Sequence, residues 1–444
     1  MRTQVDFFTR VDTLLSTVSI TTASPKLFGT IAHSANGMLR ARGLELAVGS
    51  GARIATENGR WEPAIVAGFG DDGLHLVPFA GDIAVTIGAR VTGDETVGEI
   101  DVGRALLGRV IDAMGLPLDG LGPVNAQAHR RKQTSANPMN KARIDTVMTT
   151  GVRAIDGLMT LGQGQRLAII AGSGVGKSTL LAQIMRGVTA DAIIVALVGE
   201  RAREIADFVD RHVASEARAR TTVVAAAADV PAMLRLRAVE RATALAEQFR
   251  DEGKRVLLIV DSLTRLAHAQ REIGLAMGEP PTVKGYPPSS LAMIPRLVER
   301  SGGDKRSGGS ITALYTILAD GDDLDDPVVD TARSITDGHI VLSRSLAEAG
   351  VFPAIDLARS LSRSMNDLVD EPHRVAAAQI RRDWSLAEEN RDLVLMGAYR
   401  QGADPEIDRA IAIRPAILDF IRQDPDGYVA PARTLSDLQD LLQS

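Results

Sequence analysis

Ala171-Gly-Ser-Gly-Val-Gly-Lys-Ser178 lies between an apolar run and a segment of helical periodicity, the setting in which a glycine-rich turn becomes a phosphate cradle. Upstream, Arg166 to Ile170 reads as a short buried strand, and Ser178 to Met185 repeats apolar residues at helical spacing. Gly172, Gly174 and Gly176 lack a Cβ, so the backbone can take positive φ and turn successive N–H groups toward one point. The helix that follows adds its own orphan N–H groups and partial positive charge there. In this pattern Lys177 reaches the β and γ phosphates and the Ser178 hydroxyl is placed to ligate Mg²⁺. The stretch expected to contact nucleotide is therefore Gly172, Ser173, Gly174, Val175, Gly176, Lys177, Ser178 and Thr179. The usual pattern opens on Gly. Here Ala171 stands in that place, so the first turn must accept a small Cβ.

Working outward, 444 residues exceed one ordinary core and suggest roughly three domains. Hydrophobic residues at 45% and charged ones at 24% describe a globular chain. Aromatics at 3% and a formal charge of −6 argue against a nucleic-acid binder, which needs a basic face and stacking rings. The basic cluster His129-Arg-Arg-Lys132 reads as a solvated loop. Cysteine is absent, which removes disulfides, cysteine-ligated zinc and thiol catalysis. No apolar run of about 18 residues and no signal-peptide pattern is present. The expectation is a cytoplasmic protein whose membrane association, if any, is peripheral.

The pattern of the chain predicts an α/β protein in four segments. Val5, Phe8, Val11, Leu14, Leu15 and Val18 predict an amphipathic helix within residues 1–26. Residues 27–91 shorten to period two with frequent turns, including strands Trp61–Phe69 and Leu74–Phe79, and predict an antiparallel β-barrel. Residues 92–351 alternate apolar strands with long helices, the pattern of a mainly parallel sheet. Its strands are expected at Leu167–Ala171, Ile193–Val198, Thr222–Ala226, Val256–Val260, Ile311–Ile317 and Ile340–Ser343, with a helix from Pro231 to Arg250. Ser301 to Gly309 reads as a flexible loop. Residues 352–444 show no further strand, and Arg374 to Gln401 reads as helix, so this segment is expected to be a helical domain.

A phosphate cradle alone hydrolyses nothing. Val256-Leu-Leu-Ile-Val-Asp261 ends an apolar strand in an acid, which places Asp261 at the carboxyl edge of the sheet, where it could hold Mg²⁺ through a water. Its structural alternative is a helix N-cap beside Ser262. Glu200, after the strand Ile193–Val198, could polarise an attacking water if that strand neighbours the phosphate-loop strand. The alternative is a surface Glu opening a helix.

The order AGSGVGKS (171–178), VGERAREI (198–205), LLIVDSLTRLAHAQREI (257–273), GEPPTVKGYPPS (278–289) and DGHIVLSRSLAEAGVFPAID (337–356) resembles the catalytic subunits of the rotary ATP synthase superfamily. Within it, the chain is most similar to the homohexameric ATPases of bacterial flagellar and virulence type III protein export, over about Leu27 to Ala403. The segment 278–289 carries that distinction, since ATP synthase β subunits differ there. The resemblance implies a RecA-like P-loop domain that hydrolyses ATP with Mg²⁺. Lys177 and Ser178 match the P-loop residues, Glu200 the catalytic carboxylate and Asp261 the Mg²⁺-associated acid, with Arg201 joining the γ-phosphate network. Phe352 resembles the aromatic that stacks on adenine, against the alternative of a core aromatic. Arg363 resembles the arginine finger inserted by a neighbouring subunit, against a surface Arg paired with a nearby acid.

The same resemblance implies partners. They are five further copies in a hexameric ring, a stator protein at the N-terminal helix, a coiled-coil stalk protein, export chaperones with their substrates, and the membrane export gate. Asp320 to Asp326 resembles the loop that faces the stalk in rotary enzymes, and Tyr286 could line the pore. The flagellar export motor is the leading reading and the virulence export ATPase its alternative. More distant rivals are an ATP synthase catalytic subunit, a ring-shaped RNA translocase, and a nucleotide-binding structural subunit without turnover. Residues 27–91 offer few basic or aromatic candidates for RNA, and Glu200 argues against the non-hydrolysing subunit.

Overall fold

A parallel sheet buries both faces, so its strands are apolar at every position rather than alternately. The computed structural model describes residues 27–35, 37–81, 83–124, 129–131, 137–213, 217–319 and 323–443. The predicted N-terminal helix lies outside them, as does Lys132 of the basic cluster. The described residues form two compact units, one drawn from residues 27–78 and 83–98, the other from 79–81 and 99–443.

The first unit is a closed antiparallel barrel of β1 (Gly29–Ala35), β2 (Met38–Arg42), β3 (Gly51–Ala55), β4 (Trp61–Gly70), β5 (Gly73–Pro78) and β6 (Arg90–Gly93), in the order β1-β2-β5-β4-β3-β6. Alternate residues such as Ala52 and Ile54, Ala64 and Val66, and Leu74 and Leu76 fill its interior. Bulges between Ile31 and His33 and between Val66 and Gly68 supply the bending that closure requires.

The second unit is built on one large sheet. Its strands are β7 (Val110–Asp112), β8 (Arg166–Ala171), β9 (Ala192–Val198), β10 (Thr221–Ala226), β11 (Arg255–Asp261), β12 (Ser310–Leu318), β13 (Gly338–Leu342) and β14 (Ile355–Ser362). They lie in the order β14-β13-β8-β12-β11-β9-β10-β7. All neighbours are parallel except β14, which runs antiparallel to β13. Every residue of β9 is buried. Leu167, Ile169 and Ala171 of β8 face one core while Ala168 and Ile170 face the other, the period-two consequence of a strand covered on both sides.

Ten helices matter here. They are α1 (Arg153–Leu158), α2 (Lys177–Gly187), α3 (Ala202–Phe208), α4 (Ala232–Asp251), α5 (Leu263–Ala276), α6 (Pro288–Val298), α7 (Pro327–Ile335), α8 (Glu371–Glu389), α9 (Arg391–Leu395) and α10 (Pro405–Ile421). The core around Leu167 and Ile169 takes in Leu180 and Ile184 of α2 together with Ile380 and Trp384 of α8 and Ile417 of α10. The opposite core takes in α4, α5 and α6 through Val239, Leu245, Leu266 and Ile294.

Three local expectations are corrected. β14 is a strand beyond Phe352, overlooked because its exposed Ala358, Arg359 and Leu361 break the apolar run that marks the central strands. The helix expected through Gln401 stops at Glu389. The Asn390 side chain donates to the Leu386 carbonyl at 2.9 Å, and α9 then ends before Gly397, which takes φ 68. Ser301 to Gly309 is a hydrogen-bonded turn: Gly302–Gly303 pairs with β12, and buried Ser301 shares a 2.9 Å hydrogen bond with the Tyr315 hydroxyl.

Candidate active site

Parallel strands point their carboxyl ends at one edge of the sheet, and ligands bind there. Ala171, Val198, Asp261 and Leu318 all end at that edge. From Ala171 the chain turns through Gly172–Gly176 into α2, with φ 78 at Gly174 and 92 at Gly176. Gly176 is the left-handed N-cap of α2, so the first-turn N–H groups of an 11-residue helix open beside Lys177. Ala171 meets the small-side-chain requirement of that first turn. It is buried at the end of β8, and its carbonyl accepts the Ala319 N–H at 3.0 Å.

Lys177, Asp261 and Glu200 form one cluster. Lys177 Nζ lies 2.5 Å from Asp261 Oδ1 and 3.5 Å from Glu200 Oε1, with side chains 12%, 4% and 15% exposed. Burial opposes the charge of Lys177, but Asp261 and Glu200 outweigh it and hold its pKa above the ordinary lysine value. Burial likewise pushes the Glu200 carboxyl up, against the pull of Lys177. The strand of Glu200 is not the neighbour of the phosphate-loop strand, since β12 and β11 lie between β8 and β9. The contact arises instead because Glu200 stands three residues beyond Leu197, which is level with Asp261.

Two residues overlooked in the sequence complete the cluster. Thr316 of β12 donates to Asp261 Oδ1 at 2.6 Å. It is one of four hydroxyl residues in β12, with Ser310, Thr312 and Tyr315, so only its place on the strand between the two motifs sets it apart. Arg265, in the first turn of α5, lies near enough to draw the Glu200 pKa down. Its Nε is buried without a hydrogen-bond partner among the described residues. It stands four residues after Asp261, where a helix leaving the carboxyl edge must pass the site.

The other predicted residues divide. Phe352 is half-buried against the core that holds α2, and a Cβ built on Gly176 would lie 3.3 Å from its Cδ1, so the ring rests on the phosphate loop. Ser173 and Ser178 are exposed, Val175 is buried in the core, and Thr179 is partly buried. Arg201 caps α3 with its side chain 85% exposed, 3.6 Å from Glu204, and stands outside the Lys177 cluster. Arg363 lies at the far end of the sheet. Its N–H donates to the Asp337 carbonyl at 2.9 Å, and Ser362 pairs with Gly338 at the start of β13, the amino edge opposite the phosphate loop. No in-register path brings it to Lys177 of the same chain.

Tyr286 is corrected from pore-lining to interior. It is 4% exposed, shares a 3.0 Å hydrogen bond with His268 Nε2, and lies under the Arg271 guanidinium at 5.6 Å. Of the acidic loop, Asp320, Gly321 and Asp322 lie outside the described residues. Asp323 pairs with Lys284 at 2.5 Å, and Asp326 caps α7 by accepting the Val328 N–H at 2.8 Å.

The donor set fits a nucleotide-borne Mg²⁺. Among the described residues no group of three or more His, Cys, Asp or Glu side chains is gathered for a metal. One exposed hydroxyl residue, Ser178, follows Lys177 in the first turn of α2, and one buried carboxylate, Asp261, contacts Lys177. Such a set suits an ion that takes its other ligands from phosphate oxygens and water. No described helix is long and apolar enough to cross a membrane.

Residues 151–362 match the ATP synthase alpha/beta family nucleotide-binding domain, and residues 369–440 match the T3SS EscN ATPase C-terminal domain. The chain is 44% identical to the flagellum-specific ATP synthase of Pseudomonas aeruginosa over 99% of this chain and 98% of that one. It is 43% identical to the type 3 secretion system ATPase of Xanthomonas euvesicatoria over 96% of each. The assembled ATPase EscN of the enteropathogenic E. coli type III secretion system superposes with a TM-score of 0.87 at 39% identity, covering 93% of this chain and 100% of that one. The same ATPase in complex with its central stalk EscO gives 0.83 at 39% identity, with the same coverage. A phosphate loop whose lysine is gripped by two acids, on a chain matched almost end to end, makes this protein a P-loop ATPase of the flagellar and type III secretion branch of the ATP synthase alpha/beta family.

Proposed function

We propose that this chain is the ATP-hydrolysing motor of bacterial flagellar protein export, working as a hexameric ring at the cytoplasmic face of the membrane export apparatus. The observation that carries the catalytic part is the buried Lys177–Asp261–Glu200 cluster at the phosphate loop. Glu200 takes a proton from water as the water oxygen bonds to the γ-phosphorus and the bond to ADP breaks. Lys177 and the loop N–H groups hold the phosphates. Mg²⁺, held by Ser178 and through water by Asp261, supplies charge neutralisation when bound. Phe352 stacks on the adenine. Arg363, at the opposite edge of the sheet, serves the site of the next subunit as its arginine finger, a group worth ~10³ to 10⁵ in rate.

The partners follow from the same reading. They are a stator at residues 1–26, a coiled-coil stalk, chaperone-bound substrates and the export gate. The stalk is supported by EscN having been solved with its stalk EscO, and the flagellar role by relatives named flagellum-specific ATP synthase.

Mixing Arg363→Ala with Glu200→Gln chains tests the reading. Each variant alone is inactive, and mixed rings regain turnover at interfaces that pair an intact Glu200 with a neighbour's intact Arg363. Absence of rescue at every mixing ratio would remove the shared site. In the cell, Glu200→Gln should stop export of flagellar subunits, and normal flagella would refute the export assignment.

A further inference from the structure

α7 joins the two edges of the sheet. It follows β12, whose end Leu318 is at the carboxyl edge, and precedes β13, whose start Gly338 is at the amino edge, and both strands are parallel to β8. Its nine residues span about 13 Å. At its first end, Asp326 accepts the Val328 N–H at 2.8 Å, and the same short loop carries Asp323, paired with Lys284 at 2.5 Å. At its last turn, the Arg333 carbonyl accepts from Arg363 Nη2 at 3.3 Å. That carbonyl is one of the four that a helix leaves without an internal partner. Two residues past the helix, the Asp337 carbonyl accepts the Arg363 N–H at 2.9 Å.

Between these ends the helix is anchored by Val328, Val329 and Ala332, each 0% exposed. A short helix packed along one face passes a displacement at one end to the other, because a close-packed interior has low compressibility and transmits strain. We propose that α7 sets the position of the Arg363 guanidinium, with Asp326 as the positioning residue that holds the helix in register from the opposite edge of the sheet. This rests on the reading of Arg363 as a finger for the neighbouring site. The loop at Asp323–Asp326 thereby governs a catalytic group that it does not touch.

The full-length assembled ATPase tests the proposal with Asp326→Ala, Asp326→Asn and Arg333→Gly. Asp326→Ala removes the cap, and its kcat should fall about fivefold with KM for ATP unchanged, while Asn, also a capping residue, restores kcat to within about twofold. Arg333→Gly, at an exposed position, loosens the carbonyl-bearing turn without touching the cap and gives the same split even if Asp326→Ala chains assemble poorly. Mixed rings locate the defect. Asp326→Ala mixed with Glu200→Gln should exceed the sum of its parts, because intact fingers then reach intact carboxylates, whereas Asp326→Ala mixed with Arg363→Ala should not. Parent-like kcat in both Asp326→Ala and Arg333→Gly, or rescue by Arg363→Ala and not by Glu200→Gln, overturns the proposal. If Arg363→Ala and Glu200→Gln fail to rescue each other, the finger reading itself falls and the role of α7 falls with it. If they do rescue each other while Asp326→Ala shows the opposite pattern, only α7 is refuted.

Discussion

Asp261 Oδ1 receives two buried donors, Lys177 Nζ at 2.5 Å and Thr316 Oγ1 at 2.6 Å. The lysine proposed to meet phosphate is therefore already paired with protein carboxylates, so on that reading nucleotide would enter a site whose charges are matched beforehand. Removing Lys177 leaves Asp261 and Glu200 facing each other without that cation. Truncating one partner of such a buried pair costs about 2 to 5 kcal/mol. Lys177→Ala is expected to weaken ATP binding by about 100-fold or more. Titration with a fluorescent ATP analogue measures this, and parent-like affinity would take Lys177 out of the phosphate site.

Thr316 tests the same carboxylate from the other side. Valine keeps the shape of threonine and deletes the donor, and a buried hydrogen bond to a charged group is worth about 1.5 to 3 kcal/mol. Thr316→Val should lower the urea unfolding free energy by roughly that amount and slow hydrolysis, while Thr316→Ser should lose less of either. Equal stability of Thr316→Val and the parent would show that Asp261 is held by Lys177 alone.

Glu200 carries a pH signature. Burial raises its carboxyl pKa above the ordinary 4.5, so folding favours the protonated form. The group then costs stability above its unfolded pKa, and that cost vanishes as pH falls through the raised folded value. Glu200→Gln, uncharged throughout, should melt higher than the parent at about pH 8, with the gap closing toward about pH 5. Its turnover should fall about 10² to 10⁴-fold with ATP binding retained. A Tm difference independent of pH would contradict the assigned direction.

Phe352 rests on Gly176, which places a flat apolar surface at the end of the phosphate loop, where α2 begins. Stacking of a base on an aromatic is worth about 1 to 3 kcal/mol. Phe352→Ala should raise KM for ATP about tenfold with kcat little changed, and Phe352→Tyr should restore it. A loss confined to kcat would instead make the ring a prop for the loop.

How much of this was legible in the sequence depends on whether local pattern or register carried the information. The phosphate loop, Asp261 and the six inner strands announce themselves because a strand buried on both faces is a continuous apolar run. β14 did not, because an edge strand need hide only one side, and its Arg359 and Leu361 are exposed. Glu200 was found for a reason that the sheet order does not support, since adjacency of its strand to the phosphate loop is replaced by a register that sets Leu197 beside Asp261. Thr316 and Arg265 were missed because their roles exist only once β12 and α5 are placed. Tyr286 was misplaced because a Gly-Tyr-Pro-Pro segment looks like an exposed turn, whereas His268 and Arg271 on α5 draw the ring inside.

Gly187 shows a contact overruling a propensity. It is the last residue of α2, and a Cβ built there would lie 1.9 Å from the Thr150 carbonyl oxygen and 2.6 Å from its carbon. Replacing a helical glycine by alanine ordinarily gains up to about 1 kcal/mol. Here the obstacle is backbone, and that backbone is fixed from its other side by Asp156, which is 7% exposed and accepts the Thr150 and Gly151 N–H groups at 2.9 Å each. Overpacking against groups that cannot rotate away costs about 1 to 3 kcal/mol or more, so the clash outweighs the propensity. Gly187→Ala should therefore destabilise the protein by about 2 kcal/mol in urea unfolding. Because α2 carries Lys177 at its other end, the displaced helix should also bind ATP more weakly. A Gly187→Ala protein as stable as the parent, with full ATP affinity, would mean that α2 can withdraw from Thr150 without moving the phosphate loop.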